Sequence, residues 1–230
     1  MIYGIGDLHF DYFKEKPMDV FGQNWIKHEE KIINNWSNKI NDSDLVLIPG
    51  DISWALKLNN AYFDLELIDK LPGKKVLSKG NHDYWWESLK KMNELGLDSI
   101  FFLQNNHYIY DDIVIHGARG WSSRDSEGFD EKDEKIFNRE LIRLELSLNS
   151  SKSVQGNRKI VMLHYPPFNI DSRSNEFVEL MKKYNIDLCI YGHLHDKGHR
   201  FIVEGNIEGI EFHCVSSDFI NFDPKIILGG

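Results

Sequence analysis

Seven short runs dense in β-branched and aromatic residues recur along the chain, at residues 2–5, 45–48, 75–77, 113–116, 160–163, 188–191 and 212–215. Runs of this length and composition predict strands, and their unbroken apolarity predicts strands covered on both faces. Between them, apolar residues return at three- and four-residue spacing, the period of a helix face. Trp25, Ile32, Ile33, Trp36 and Ile40 mark one helix, which Asn41-Asp42-Ser43 ends; Tyr62, Leu65, Ile68 and Leu71 mark a second, stopped by Pro72-Gly73. Trp85, Leu89, Met92 and Leu95 mark a third, with Gly96 as its stop, while Phe137 to Leu148 and Phe177 to Tyr184 carry the fourth and fifth stripes. The charge run at residues 130–135 reads as the solvated start of the fourth helix. Strand and helix alternate, which predicts an α/β architecture. Near the C-terminus the alternation stops: residues 201–203, a turn at Glu204-Gly205-Asn206 and residues 210–215 predict an antiparallel hairpin. Residues 117–133, rich in glycine and charge, predict a long surface loop.

Composition narrows the function. A chain of 230 residues, 41% hydrophobic, fits one domain over residues 1–230. Its 36 acidic side chains outnumber 27 basic ones, and a surface of formal charge -9 repels a polyanion, so long nucleic acid is a poor partner. Cys189 and Cys214 lie inside apolar runs and read as buried, reduced thiols. No leader follows Met1 and no apolar stretch is long enough for a bilayer, so no membrane partner and a cytoplasmic location are expected. Oligomeric state is not legible.

The residues that carry chemistry sit immediately after the apolar runs: Asp7-Leu8-His9, Gly50-Asp51, Gly80-Asn81-His82-Asp83, His164, and Gly192-His193-Leu194-His195. In open α/β sheets the C-terminal ends of the strands share one edge, where ligands bind. The converging donors are nitrogen and oxygen with no thiolate, suited to Mn, Fe, Zn, Co or Ni. They are too many for one tetrahedral ion and suit two ions sharing a carboxylate. Taken singly, Asp7 and Asp51 read equally as turn residues, His164 as a core histidine and Asp83 as a helix N-cap. The His193 and His195 pair, among small and polar residues, does not read as core. His28, His107 and His199 read as surface, His116 as structural, and His213 as a strand residue of undecided facing. Trp85 reads as core, whereas Trp54, Tyr84 and Trp86 are candidates for a cleft wall, and Arg119, Trp121 and Arg124 for phosphate contacts.

In order and spacing the five motifs resemble the metallophosphoesterase (calcineurin-like) superfamily, whose pattern is D-x-H, G-D, G-N-H-D/E, H and G-H-x-H, and most closely its small bacterial predicted phosphohydrolases. The resemblance implies a four-layer αββα sandwich of two mixed sheets flanked by helices. It implies two divalent transition-metal ions, Mn foremost with Fe, Zn, Co or Ni as alternatives. Asp7, His9, Asp51 and His195 would hold the first and Asp51, Asn81, His164 and His193 the second, with Asp51 bridging. A hydroxide shared by the ions would then attack a small phosphomonoester or phosphodiester. His82 would protonate the leaving oxygen, with Asp83 fixing its tautomer and raising its pKa. Gly50-Asp51-Ile52-Ser53-Trp54-Ala55-Leu56 lacks the arginine typical of protein serine/threonine phosphatases at this motif, which argues against protein substrates. Some members of the superfamily serve instead as non-catalytic scaffolds that bind partner proteins; such members lose ligands, and no ligand is lost here.

Overall fold

The computed structural model describes residues 1–152, 154 and 158–229. Among them β1 (Ile2–Gly4), β2 (Leu45–Pro49), β3 (Lys74–Ser78), β4 (Ile100–Leu103) and β11 (Lys225–Leu228) form one sheet, in the order β11-β1-β2-β3-β4. The second sheet contains β5 (Tyr108–Tyr110), β6 (Ile113–Ala118), β7 (Arg158–Leu163), β8 (Leu188–Tyr191), β9 (Gly205–Ile207) and β10 (Ile210–Cys214), in the order β5-β6-β7-β8-β10-β9. The inner strands pair in parallel, and β11, β5 and β9 add antiparallel edges. The helices are α1 (His28–Lys39), α2 (Leu58–Asp69), α3 (Leu89–Asn93), α4 (Glu131–Asn149) and α5 (Glu176–Lys183).

The two-residue period of a strand explains the layers. Val46 and Ile48 of β2 pack outward against Trp36 of α1 and Leu65 and Ile68 of α2. Leu45 and Leu47 point the other way, into a cluster shared with Ile160 and Met162 of β7. Val161 and Leu163 of that strand face outward again, onto Phe137 and Leu144 of α4 and Phe177 of α5. Three apolar clusters therefore separate four layers, and the expected αββα sandwich is the fold. No helix among the described residues is long and apolar enough to cross a membrane.

Three local expectations are corrected. The third helix is short: Trp85 and Trp86 precede it, and Ser88 caps it by accepting from the Lys91 N–H, so Asp83 is not its N-cap. The C-terminal hairpin is displaced. Residues 196–201 form a 3-10 turn, and the hairpin joins β9 to β10 through Glu208 and Gly209, both left-handed at φ 53° and 89°. Val203 is kept out of the ladder because the Tyr191 hydroxyl accepts from its N–H and donates to its carbonyl, each at 2.8 Å. The loop expected from residue 117 begins only after β6, at Arg119, and ends where Asp130 caps α4 in a capping box with Asp133.

Lys75 in β3 is a charged residue in the core, 1% exposed, whose ammonium donates to the carbonyls of Asp69 and Leu71 and to the Ser99 hydroxyl. Burial pulls its pKa down to about 8, with Asp69 and Asp42 pulling the other way. The folded chain thus releases this proton at lower pH than the unfolded chain, which keeps it up to about 10.5, and stability from this group rises with pH across that window. Lys75→Met is expected to flatten that rise, which thermal melts of both proteins at stepped pH will read.

Candidate metal centre

Asp7, Asp51, Asn81, His164, His193 and His195 follow the C-terminal ends of β1, β2, β3, β7 and β8, three strands of one sheet and two of the other. The site therefore spans the edge where the sheets meet, and the Gly6 N–H stitches that edge by donating to the Val215 carbonyl at 2.7 Å. The chain leaves these strands by sharp turns. Asp7, His9, Asp51 and His193 have φ of 56°, 48°, 53° and 73°, the left-handed region that a side chain adopts at a cost of about 1–3 kcal/mol each. Gly80 serves close approach rather than a left-handed turn: a Cβ there would lie 2.1 Å from Asp51 Oδ1. At Gly192 a Cβ would lie 2.4 Å from Asp7 Oδ2.

Hydrogen bonds on the far side of the rings set the histidine tautomers. His164 Nδ1 donates to the Pro49 carbonyl at 3.0 Å, and His195 Nδ1 to Asp218 Oδ1 at 2.7 Å, so each turns its Nε2 inward. There His164 Nε2 lies 2.7 Å from Asn81 Oδ1 and 3.2 Å from His193 Nδ1, and His193 Nδ1 is 3.0 Å from the same Asn81 oxygen. These three atoms converge on one point, where a hydrogen on His193 Nδ1 or a cation between them would satisfy all three. His195 Nε2 is buried without a hydrogen bond, 3.3 Å from Asp7 Oδ1. Asp51 Oδ2 lies 3.8 Å from His9 Nε2 and 3.5 Å from His164 Nε2, reaching both ends of the cluster. Asp7, His9 and His195 bring ligand atoms within 4.8 Å of one another, as do Asp7, Asp51 and His164. The donor set fits divalent cations.

Burial and mutual proximity shift the titration of these donors in opposite directions. Burial, with Asp7 beside it, raises the Asp51 carboxyl to about 8. Burial acts upward on Asp7 too, but His195, His164 and His9 hold it well below the usual carboxylate range. Burial and the neighbouring imidazoles push His193 well below its ordinary value. His195 goes the other way, to about 10, because Asp7 and Asp218 outweigh its burial.

Around this cluster several expectations are corrected. Asp83 has no hydrogen bond to His82. Its Oδ2 accepts from the N–H groups of Asp51 (2.9 Å) and Gly80 (2.8 Å), and its Oδ1 from those of Ile52 and Ser53 and the Trp85 indole. The carboxylate pins the Asp51 loop to the Asn81 loop and does not orient His82. Nor is His82 raised: burial lowers its pKa, helped by His164 and Lys16. Its ring sits 4.5 Å from Trp54, which stacks on His9 at 4.8 Å, so Trp54 does wall the site. Tyr84 is exposed and Trp86 is buried on Gln104. Arg119 pairs with buried Glu140, Arg124 with Glu134 and Glu176, and the Trp121 indole with Asp133, so the three loop candidates brace α4 and α5. His28, expected at the surface, is buried, with Nε2 3.1 Å from the His9 carbonyl. His107 and His199 are half-buried, on Ser150 and Asp218. Asp218 was not singled out from the sequence. The signal was present, since Ser216-Ser217-Asp218 follows an apolar strand as the other motifs do.

A family model described as calcineurin-like phosphoesterase matches residues 1–197. An uncharacterized protein of Methanocaldococcus jannaschii is 28% identical over 146 residues, 60% of this chain and 79% of that protein. The fold is similar to that of a protein of unknown function from Aquifex aeolicus, at 20% identity and TM-score 0.50, over 98% of this chain and 94% of that one. It is also similar to a Thermus thermophilus sulfate thiohydrolase solved with glycerol, at 13% identity and TM-score 0.54, over 94% of this chain and 51% of that one.

Proposed function

The chain belongs to the calcineurin-like phosphoesterase family, and on that premise we propose that it is a dinuclear metal-dependent hydrolase of small phosphate esters. The single observation that carries this reading is the convergence of His164 Nε2, His193 Nδ1 and Asn81 Oδ1 beside Asp51 Oδ2, a buried set of nitrogen and oxygen donors that suits a divalent cation. Asp7, His9, Asp51 and His195 would hold one ion, and Asp51, Asn81, His164 and His193 the other. The reach of Asp51 Oδ2 to both His9 and His164 supports its role as the shared ligand. Mn is the first choice, with Fe, Zn, Co and Ni as alternatives. Two such ions supply Lewis acidity to the phosphoryl oxygens and to the attacking water.

The protein's own part is positioning and proton transfer. Pro49 and Asp218 orient His164 and His195 with Nε2 toward the cluster. His82 carries no ring hydrogen bond to the described residues and is wedged between Trp54 and His9, so its ring nitrogens are free to face the leaving oxygen. The test is a panel of aryl monoesters, diesters and cyclic nucleotides, run with each of the five metals. Chelator-sensitive hydrolysis of at least one class is expected, and inertness of metal-loaded protein on all of them overturns the proposal. Asn81→Ala is expected to lower bound metal by about 10–100-fold in affinity, whereas His82→Ala leaves it unchanged, as metal analysis after dialysis will read. Equal losses would reject the division of roles.

A further inference from the structure

Two cavities of nearly equal size open at the two ends of the donor cluster. One, about 330 Å³, is lined by His9, His82 and His195 together with Met18, Phe21 and Trp54. The other, about 340 Å³, reaches His193 and is lined by Trp121, Tyr165, Phe168, Ser122 and Arg200. Each is large enough to take one ring-sized substituent. We infer that the substrate is a phosphodiester, with an apolar, ring-bearing leaving alcohol seated in the first cavity and the retained substituent in the second. This rests on the phosphoesterase reading above and deepens it.

The first cavity is the one that contains His82, and away from its histidines and Asp196 its wall is apolar. Phe21 is 58% and Val20 72% exposed around it, and the Trp54 indole N–H is already spent on Met18 Sδ at 3.1 Å. An aromatic ring finds the flank of Trp54 there. The second cavity has no counterpart in monoester chemistry, because a monoester carries a single organic substituent. Charge agrees. A monoester dianion calls for more compensating cations than a diester monoanion, and Arg119 and Arg124 are committed to carboxylates. Two cations that have no ion pair among the described residues stand one beside each cavity. Lys16 lies 4.6 Å over the Trp54 ring, and Arg200 4.6 Å over Phe201. In the reaction the water oxygen bonds to phosphorus, and the P–O bond to the alcohol in the first cavity breaks. That alcohol leaves with a proton, and the product is the monoester of the substituent in the second cavity.

The experiment compares para-nitrophenyl phosphate with bis(para-nitrophenyl) phosphate on the Mn-loaded protein, for wild type, Trp54→Ala, Trp54→Leu and Ser122→Trp. Ser122 has no side-chain hydrogen bond among the described residues, so a bulky residue there fills the second cavity without breaking a contact. Wild type is expected to favour the diester in kcat/KM by about tenfold or more. Ser122→Trp is expected to lower the diester-to-monoester ratio by about tenfold, and both Trp54 variants to lower kcat/KM on both aryl substrates, at unchanged metal content. A wild-type preference for the monoester, or a ratio that Ser122→Trp does not move, overturns the diester inference and leaves a phosphoesterase. No hydrolysis of either ester overturns the underlying reading as well.

Discussion

Asp83→Ala is expected to cost roughly 3–5 kcal/mol of stability, to lower the melting temperature by about 10 °C, and to empty the metal site. Asp83 is fully buried, and its two oxygens accept from four backbone N–H groups and one indole. Alanine strips the acceptor from all five donors at once and leaves them dry. The loss is below the sum of five bonds because the native carboxylate is itself uncomfortable: burial and the nearby Asp51 raise its pKa to about 6. Asparagine is no conservative replacement, since its amide turns N–H groups toward donors on one side. The consequence passes to function through the backbone. Asp51 and Asn81 lie on the two loops this carboxylate ties together, so metal content should fall with stability. Urea denaturation and metal analysis will check both; a variant that keeps its stability and metal but loses catalysis would return Asp83 to the role of orienting His82.

His82→Gln should do the reverse. With an alkyl leaving group, kcat is expected to fall by about 10²–10⁴-fold, the usual worth of a general acid, with metal content unchanged. With a para-nitrophenyl leaving group the fall should be small, because that phenolate departs without a proton. The half-buried ring touches Trp54, His9 and Tyr84, so a side chain of similar size limits structural damage. Steady-state kinetics on the two ester types separate the outcomes, and equal losses on both would mean that His82 binds or positions rather than donates a proton.

These two neighbours show where the sequence was readable. The strand-like runs that precede each motif are mostly apolar because their strands are covered twice, and that signal is local. It placed β1, β2, β3, β6, β7, β8 and β10, and with them the edge at which Asp7, Asp51, Asn81, His164, His193 and His195 meet. Strands β4, β5, β9 and β11 escaped. All four lie at sheet edges, and none is followed by one of the polar motifs that singled out the inner strands.

What the sequence by itself determined is therefore the sheet core, the five motifs and the metal-binding chemistry they present, because apolar runs and donor identities are properties of short segments. Tertiary structure alone decided how those donors are held. Asp83 serves a loop 32 residues upstream, Asp218 orients a histidine 23 residues before it, and His164 takes its tautomer from Pro49, 115 residues away. A carboxylate at the end of a strand looks the same in sequence whether it faces a cation, an imidazole or a row of backbone N–H groups. Only packing brings one of these within hydrogen-bond reach, and burial then makes that choice costly to undo.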